Sequence, residues 1–274
     1  MDTASLAVIA TVTTSTGPVW AAAHPNGSLV YVANSGGSSV TVLSASTSAI
    51  LATIPVGAQP SFILFAPNGS AAYVSNRGSN SVSIINPSTS AVVATLSGIA
   101  IPGFSVITPN GSLLYVAPDY GSSIGVVDTV SQTVVATIPM SCTTPFPDHI
   151  TADPNGSFVY EGHCSSIRKI DTTTNLVVSS VYVGCESGFS IDPNGSMLYV
   201  GAGCSSVVFV DTATTTIVAT VTGSTFMNWS AVLSGSPLLF SSTGGSVEII
   251  STSSASVVAS TAAGCGPGFL AIQP

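Results

Sequence analysis

A chain of 274 residues that is 45% hydrophobic and only 5% charged has the composition of a folded protein, and its length suits two ordinary domains or one large all-β domain. Three basic residues (Arg77, Arg168 and Lys169) stand against eleven acidic ones, for a net charge of −8. So few cations argue against nucleic-acid binding and against docking on anionic lipid, and no apolar run is long enough to insert in a membrane.

In chain order, residues 2–14, "DTASLAVIATVTT", read as a turn and one β-strand. They have neither the basic start nor the cleavage pattern of a signal peptide, so any leader is expected to have been removed. From residue 25 onward a phrase repeats. "PNGS" begins at Pro25, Pro67, Pro109, Pro154 and Pro193, with Asn-to-Asn spacings of 42, 42, 45 and 39 residues. A sixth copy, "SGSPLLF", carries Gly235 in place of the Asn, 41 residues beyond Asn194. A repeat of this period points to stacked supersecondary units.

Each unit contains four short apolar strands, here called a to d. In the third they are "GFSVIT", "SLLYVA", "SIGVVD" and "TVVATIP". Asn-Gly between a and b predicts a tight hairpin of type I′, with positive φ at both residues. The "DT" pairs at Asp128, Asp171 and Asp211 predict carboxylate-bonded turns between c and d. Four strands per unit of this length predict an all-β fold, a β-propeller of four-stranded blades in a single domain over residues 1–274. Strand b ends in "YVAN" (31–34), "YVSN" (73–76), "YVAP" (115–118), "YEGH" (160–163) and "YVGA" (199–202). In these elements the chain resembles the YVTN family of β-propeller repeats. The resemblance covers nearly the whole chain and implies the fold, while proteins with such repeats have diverse functions.

Six units contain all four strands. Residues 2–14 align with a strand d and residues 267–274, "PGFLAIQP", with a strand a. This predicts seven angular positions, the seventh either reduced to two terminal strands or completed by another chain; six blades with surplus end strands is the alternative. Joining terminal strands in one blade is a usual way of removing sheet edges.

Cys142 and Cys185 fall in d–a loops, and Cys164 and Cys204 in the b–c loops of the same blades. In a propeller these loops share one face, the top. Cys142–Cys164 and Cys185–Cys204 are therefore expected as disulfides, each worth about 3 kcal/mol in the chain-entropy model. Free thiols or a metal site are the other readings. Cys265 occupies the same d–a position in the seventh blade. Disulfides point to an oxidising setting: extracellular, cell-surface or periplasmic.

One column at the start of strand a reads Trp20, Phe62, Phe104, His149, Phe189, Trp229 and Phe269. These residues could form an aromatic collar that stacks a ligand at the channel mouth, or could pack blade against blade. The fourth blade departs furthest from the pattern, with Asp148, His149, Glu161, His163, Arg168 and Lys169. His149, Glu161 and His163 are candidates for acid–base chemistry. The E-x-H spacing at a strand end resembles that of propeller lyases related to virginiamycin B lyase. Against this, Glu161 and Lys169 each replace an apolar repeat residue on adjacent strands, which predicts a compensated internal ion pair. Asp119, Asp148, Glu186 and Arg77 complete the charges on the top face. The sequence contains no cofactor motif, metal-ligand ring or G-x-S-x-G element, so no cofactor or metal is expected. The N-x-S sequons at Asn26, Asn68, Asn110, Asn155, Asn194 and Asn228 could carry glycans in a glycosylating host, although turn chemistry already accounts for Asn-Gly.

Two functions remain. The first is a secreted or surface-exposed binding or structural module, contacting a protein, small molecule or glycan on its top face, or another copy through the seventh blade. The second is a small-molecule lyase or hydrolase built on the fourth blade.

Overall fold

The computed structural model describes residues 10–121, 123–140, 149–163, 165–184, 186–202, 205–223, 229–232, 236–242 and 245–262. The side chains of residues 163, 186, 187, 229 and 230 are excepted. The contacts divide the chain into two compact units, Met1–Pro147 and Asp148–Pro274.

Among the described residues the first unit holds three four-stranded antiparallel sheets, and so does the second, each paired in the order a-b-c-d. Blade 1 consists of strands a (Pro18–Ala23), b (Leu29–Asn34), c (Ser39–Ser44) and d (Ile50–Pro55). Blades 2 and 3 run from Pro60 to Ser97 and from Pro102 to Pro139. Blades 4, 5 and 6 run from Ile150 to Tyr182, Glu186 to Thr222 and Trp229 to Ala262. The sheets are propeller-like, as the repeat predicts. Residues 10–14, the described part of the expected N-terminal strand, form no strand. Residues 267–274 and all five cysteines lie outside the described residues.

Strands b and c are largely apolar on both faces because both are buried. Tyr31, Val40, Val42 and Ile54 of blade 1 pack on Ile63, Ala72, Val74 and Ile85 of blade 2. The same arrangement joins blade 2 to blade 3, blade 4 to blade 5 and blade 5 to blade 6. Strand d is different. It carries a β-bulge in every blade, and the bulged residues Leu51, Val93, Val135, Val178, Val218 and Val258 are all exposed. Extra twist at a bulge blunts a free sheet edge, which here has no charged residue to protect it.

The hairpin between a and b corrects the expected type I′ turn. Gly27, Gly69, Gly111, Gly156 and Gly195 have positive φ, but the preceding Asn residues do not. The turn begins one residue earlier: Gly27 N–H donates to His24 O at 2.8 Å, and its counterparts do the same. The reason is the Pro, whose fixed φ suits the second position of a type I turn and leaves the Gly at the fourth. Each Asn side chain then accepts the N–H of the Ser two residues on, at 2.8–3.0 Å.

The "DT" turns have two jobs. Asp128, Asp171 and Asp211 accept backbone N–H groups within their own turns, which hold their carboxyls below the usual range. The following Thr laces the c–d turn to the a–b turn: Thr129, Thr172 and Thr212 donate to the carbonyls of Gly111, Gly156 and Gly195 at 2.6–2.7 Å. The tyrosine hydroxyl of the preceding blade lies near the Thr of this column, in Tyr73–Thr129, Tyr160–Thr212 and Tyr199–Thr252. Burial and nearby Asp153 push the Tyr160 hydroxyl up to about 12.

In blade 2, Pro87 stands where blade 3 has Thr129, and the buried Tyr31 hydroxyl, with Ser90 nearby, makes no well-formed hydrogen bond. Tyr31→Phe should therefore leave stability unchanged or slightly raised in urea denaturation, because it removes a buried hydroxyl that makes no hydrogen bond. A loss of about 1 kcal/mol or more would show that this hydroxyl is paired.

Candidate functional site

In the first unit the aromatic column forms a cluster. The bulge that opens strand a aims Trp20 and Phe62 inward from successive blades, and Phe104 holds the same position in blade 3. The ring centroids lie 4.5 Å apart for Trp20–Phe62, 5.2 Å for Phe62–Phe104 and 5.9 Å for Trp20–Phe104. Contact between blades 1 and 3 means that the rings converge as well as leaning on their neighbours. The Trp20 indole N–H donates to Ile63 O of blade 2 at 3.1 Å, and all three rings remain half-buried. The cluster is at once inter-blade packing and an accessible aromatic surface.

Near the same end of blades 2 and 3, Arg77 pairs with Asp119 at 3.1 Å and lies 5.1 Å from the Tyr120 ring centroid. Burial pushes the Asp119 carboxyl above its usual value, with Arg77 opposing. Gly103 allows this geometry, because a Cβ there would sit 2.6 Å from Asp119 Oδ1. Next to Arg77, the strand-end Asn76 is buried and donates to Ser83 Oγ at 2.9 Å, as Asn34 does to Thr41 Oγ1. This explains the uneven Asn of the strand-b motif: blades with Pro118, His163 or Ala202 in its place have Gly125, Arg168 or Val208 at the strand-c position held by Thr41 and Ser83, none offering a hydroxyl.

In the second unit, His149 and Phe189 repeat the ring contact edge to face, at 4.5 Å. Phe189 N–H donates to His149 Nδ1 at 3.4 Å, and burial lowers the imidazole pKa to about 3. The ring is therefore neutral, with its proton on Nε2.

Glu161 is fully buried, but its partner is not Lys169. Arg168 Nε and Nη2 each lie 2.7 Å from Glu161 Oε2. Register decides this: Glu161 is directly opposite Arg168, while Lys169 is opposite Tyr160 and so faces the other side of the sheet. Lys169 instead donates to Thr212 O of blade 5 at 2.8 Å and lies 3.8 Å from the Phe158 ring centroid. The sequence reading also missed Glu248, which is buried opposite Ser241 in blade 6. The available signal was its column, the strand-c position held by Thr41, Ser83 and Arg168.

Of the other candidates, Asp148 and Phe269 lie outside the described residues, as do the side chains of His163, Glu186 and Trp229. Among the described residues, no group of three or more His, Cys, Asp or Glu could hold a metal ion.

The family model for YNCE-like beta-propellers matches residues 3–180. The chain belongs to that family. A YVTN-type repeat, read from the strand ends, is consistent with this membership. No curated protein matches the sequence. Among solved structures, "Kuenenia stuttgartiensis Hydrazine Synthase" is similar with a TM-score of 0.76 at 20% identity, covering 96% of this chain and 92% of that one. At such identity the likeness shows the fold alone. In this YNCE-like propeller, function has to be argued from its own side chains.

Proposed function

We propose that this protein is a secreted or surface-exposed propeller that works as a binding or assembly module. The observation that carries this reading is the use made of its cations. Arg77 ties blade 2 to Asp119 of blade 3, Arg168 neutralises a buried carboxylate within blade 4, and Lys169 ties blade 4 to blade 5. All three basic residues thus serve the framework. The lyase or hydrolase reading draws less support, because Glu161 is sealed in an ion pair and a His149 pKa near 3 suits no general base at neutral pH.

The contact surface on this reading is the top face, with Trp20, Phe62 and Phe104 stacking a ligand beside the Arg77–Asp119–Tyr120 group. On the same reading, segments 2–14 and 267–274 build a seventh position, closed within one propeller domain or completed by another copy, although residues 10–14 form no strand. The family match supports a single domain, since it runs from the first unit into blade 4.

The test is native mass spectrometry beside non-reduced peptide mapping. The expected result is two bridges, Cys142–Cys164 and Cys185–Cys204, in a species of fixed stoichiometry. Alkylation of all five cysteines without prior reduction would remove the oxidising compartment and the module reading that depends on it.

A further inference from the structure

At the opposite end of the first unit, far from the top-face loops in strand direction, the seam between blades 2 and 3 contains a cleft of about 530 Å³. Its origin can be traced to one residue. The position before each "PNG" turn is His24, Ala66, Thr108, Asp153 or Asp192 in successive blades. In blade 1, His24 reaches across the seam: its Nε2 lies 3.1 Å from Gly69 O, and a Cβ on Gly69 would stand 2.6 Å from the imidazole. In blade 4, Asp153 does the same, with Oδ1 2.6 Å from the site of a Cβ on Gly195. In blade 2 that residue is Ala66, and a Cβ on Gly111 across the seam would meet only Pro67, at 3.7 Å. The bridge is absent, and the space stays open.

The lining has a definite chemistry. Asn68, Asn86 and Asn110 border it, and each spends its side-chain oxygen on its own turn. Their NH₂ groups have no protein partner among the described residues, leaving three amide donors at the rim. Gln132, Ser70 and Ser112 add further polar groups, and no Asp, Glu, Lys, Arg or His lines the cleft. Val93 and Val130 supply aliphatic surface at 54% and 88% exposure. Val130 stands out because the same turn position is Ser46, Ser88, Thr173, Ala213 or Ser253 elsewhere. Nothing in the fold requires a branched aliphatic there.

We propose that this seam is a second binding site, for an uncharged polyhydroxyl ligand of one or two sugar rings. Amide donors meet ring and hydroxyl oxygens, the valines meet a C–H face, and a lining without Asp, Glu, Lys, Arg or His disfavours charged compounds. The volume lies within the range of small-molecule pockets.

The blade-1 arrangement supplies the test. Ala66→His should rebuild the bridge to Gly111 and fill the cleft in a form the fold already accommodates. The probes are methyl α-glucopyranoside, maltose, cellobiose and N-acetylglucosamine, with glucuronate and glucosamine as charged counterparts, followed by saturation-transfer NMR and calorimetric titration. At least one neutral sugar should bind saturably and both charged ones should not. Ala66→His should weaken that binding by about tenfold or more at an unchanged melting temperature. Should that variant fold poorly, Val130→Thr, which restores the blade-4 residue, should weaken binding in the same direction. Absence of saturable binding, equal binding of charged sugars, or indifference to both substitutions would overturn the proposal. Loss with Trp20→Phe but not with Ala66→His would also overturn it, by moving the binding to the top face.

Discussion

Glu161→Val should destabilise the protein by about 3–5 kcal/mol, although valine is what blades 1, 2, 3 and 5 carry at that position. The substitution leaves the Arg168 guanidinium, whose side chain is only 11% exposed, without the carboxylate that neutralises it. The double variant Glu161→Val/Arg168→Val should recover most of the loss, because it reproduces the cross-strand pair Val200–Val208 of blade 5. A well-packed apolar pair commonly matches or exceeds a buried ion pair in stability, whereas half an ion pair is costly. Equilibrium unfolding in urea of the wild type, both single variants and the double variant gives the coupling directly. If the double variant is as unstable as Glu161→Val, the pair is not a self-contained substitute for two valines. The fourth blade would then need another explanation for its charges.

That cycle also marks the limit of what the sequence could show. The blades were legible because their signals are local. Pro-Asn-Gly-Ser fixes a turn through bonds spanning a few residues, and Asp-Thr fixes another. The ring column was legible because strand a begins at the same repeat position each time. Pairing of charges depends on parity across two strands, and a one-residue offset reverses the face. Lys169 does hold the repeat position of Val42, Ile84, Val126 and Phe209, but those residues face the Tyr of strand b, on the side away from Glu161. Counting back through the short b–c loop from His163, which pairs with Ser166, would have put Arg168 opposite Glu161. The seam cleft was not legible at all. Ala66 is unremarkable in its own strand, and it matters only through the glycine of the next blade that it fails to reach. Convergence of Trp20 on Phe104 was similarly hidden, since it needs three blades in place.

His149 should make the fold acid-labile in a window of its own. Its ordinary pKa of 6.5 falls to about 3 in the folded protein because the ring is desolvated against Phe189. The unfolded chain therefore binds a proton that the native state refuses anywhere between those values. Stability is complete above pH 6.5 and declines as the pH falls toward 3, with a slope of up to about 1.4 kcal/mol per pH unit. Other groups act elsewhere or in the opposite sense. Asp128, Asp171 and Asp211 have lowered values, so their contribution is lost only as pH falls below the ordinary carboxyl value of 3.8. Asp119, with a raised value, gains stability on acidification and partly masks the decline. His149→Phe separates these contributions by installing the ring that Phe62, Phe104 and Phe189 already provide in the same column. Denaturation midpoints measured from pH 7 to pH 4 should slope for the wild type and flatten for the variant, while the loss below pH 4 persists in both. Parallel slopes for the two proteins would mean that His149 takes up its proton without unfolding, so that the imidazole is open to solvent and available to a substrate. The acid–base reading of the fourth blade would then regain its strongest member, and the ring column would be a site in blade 4 as well as packing.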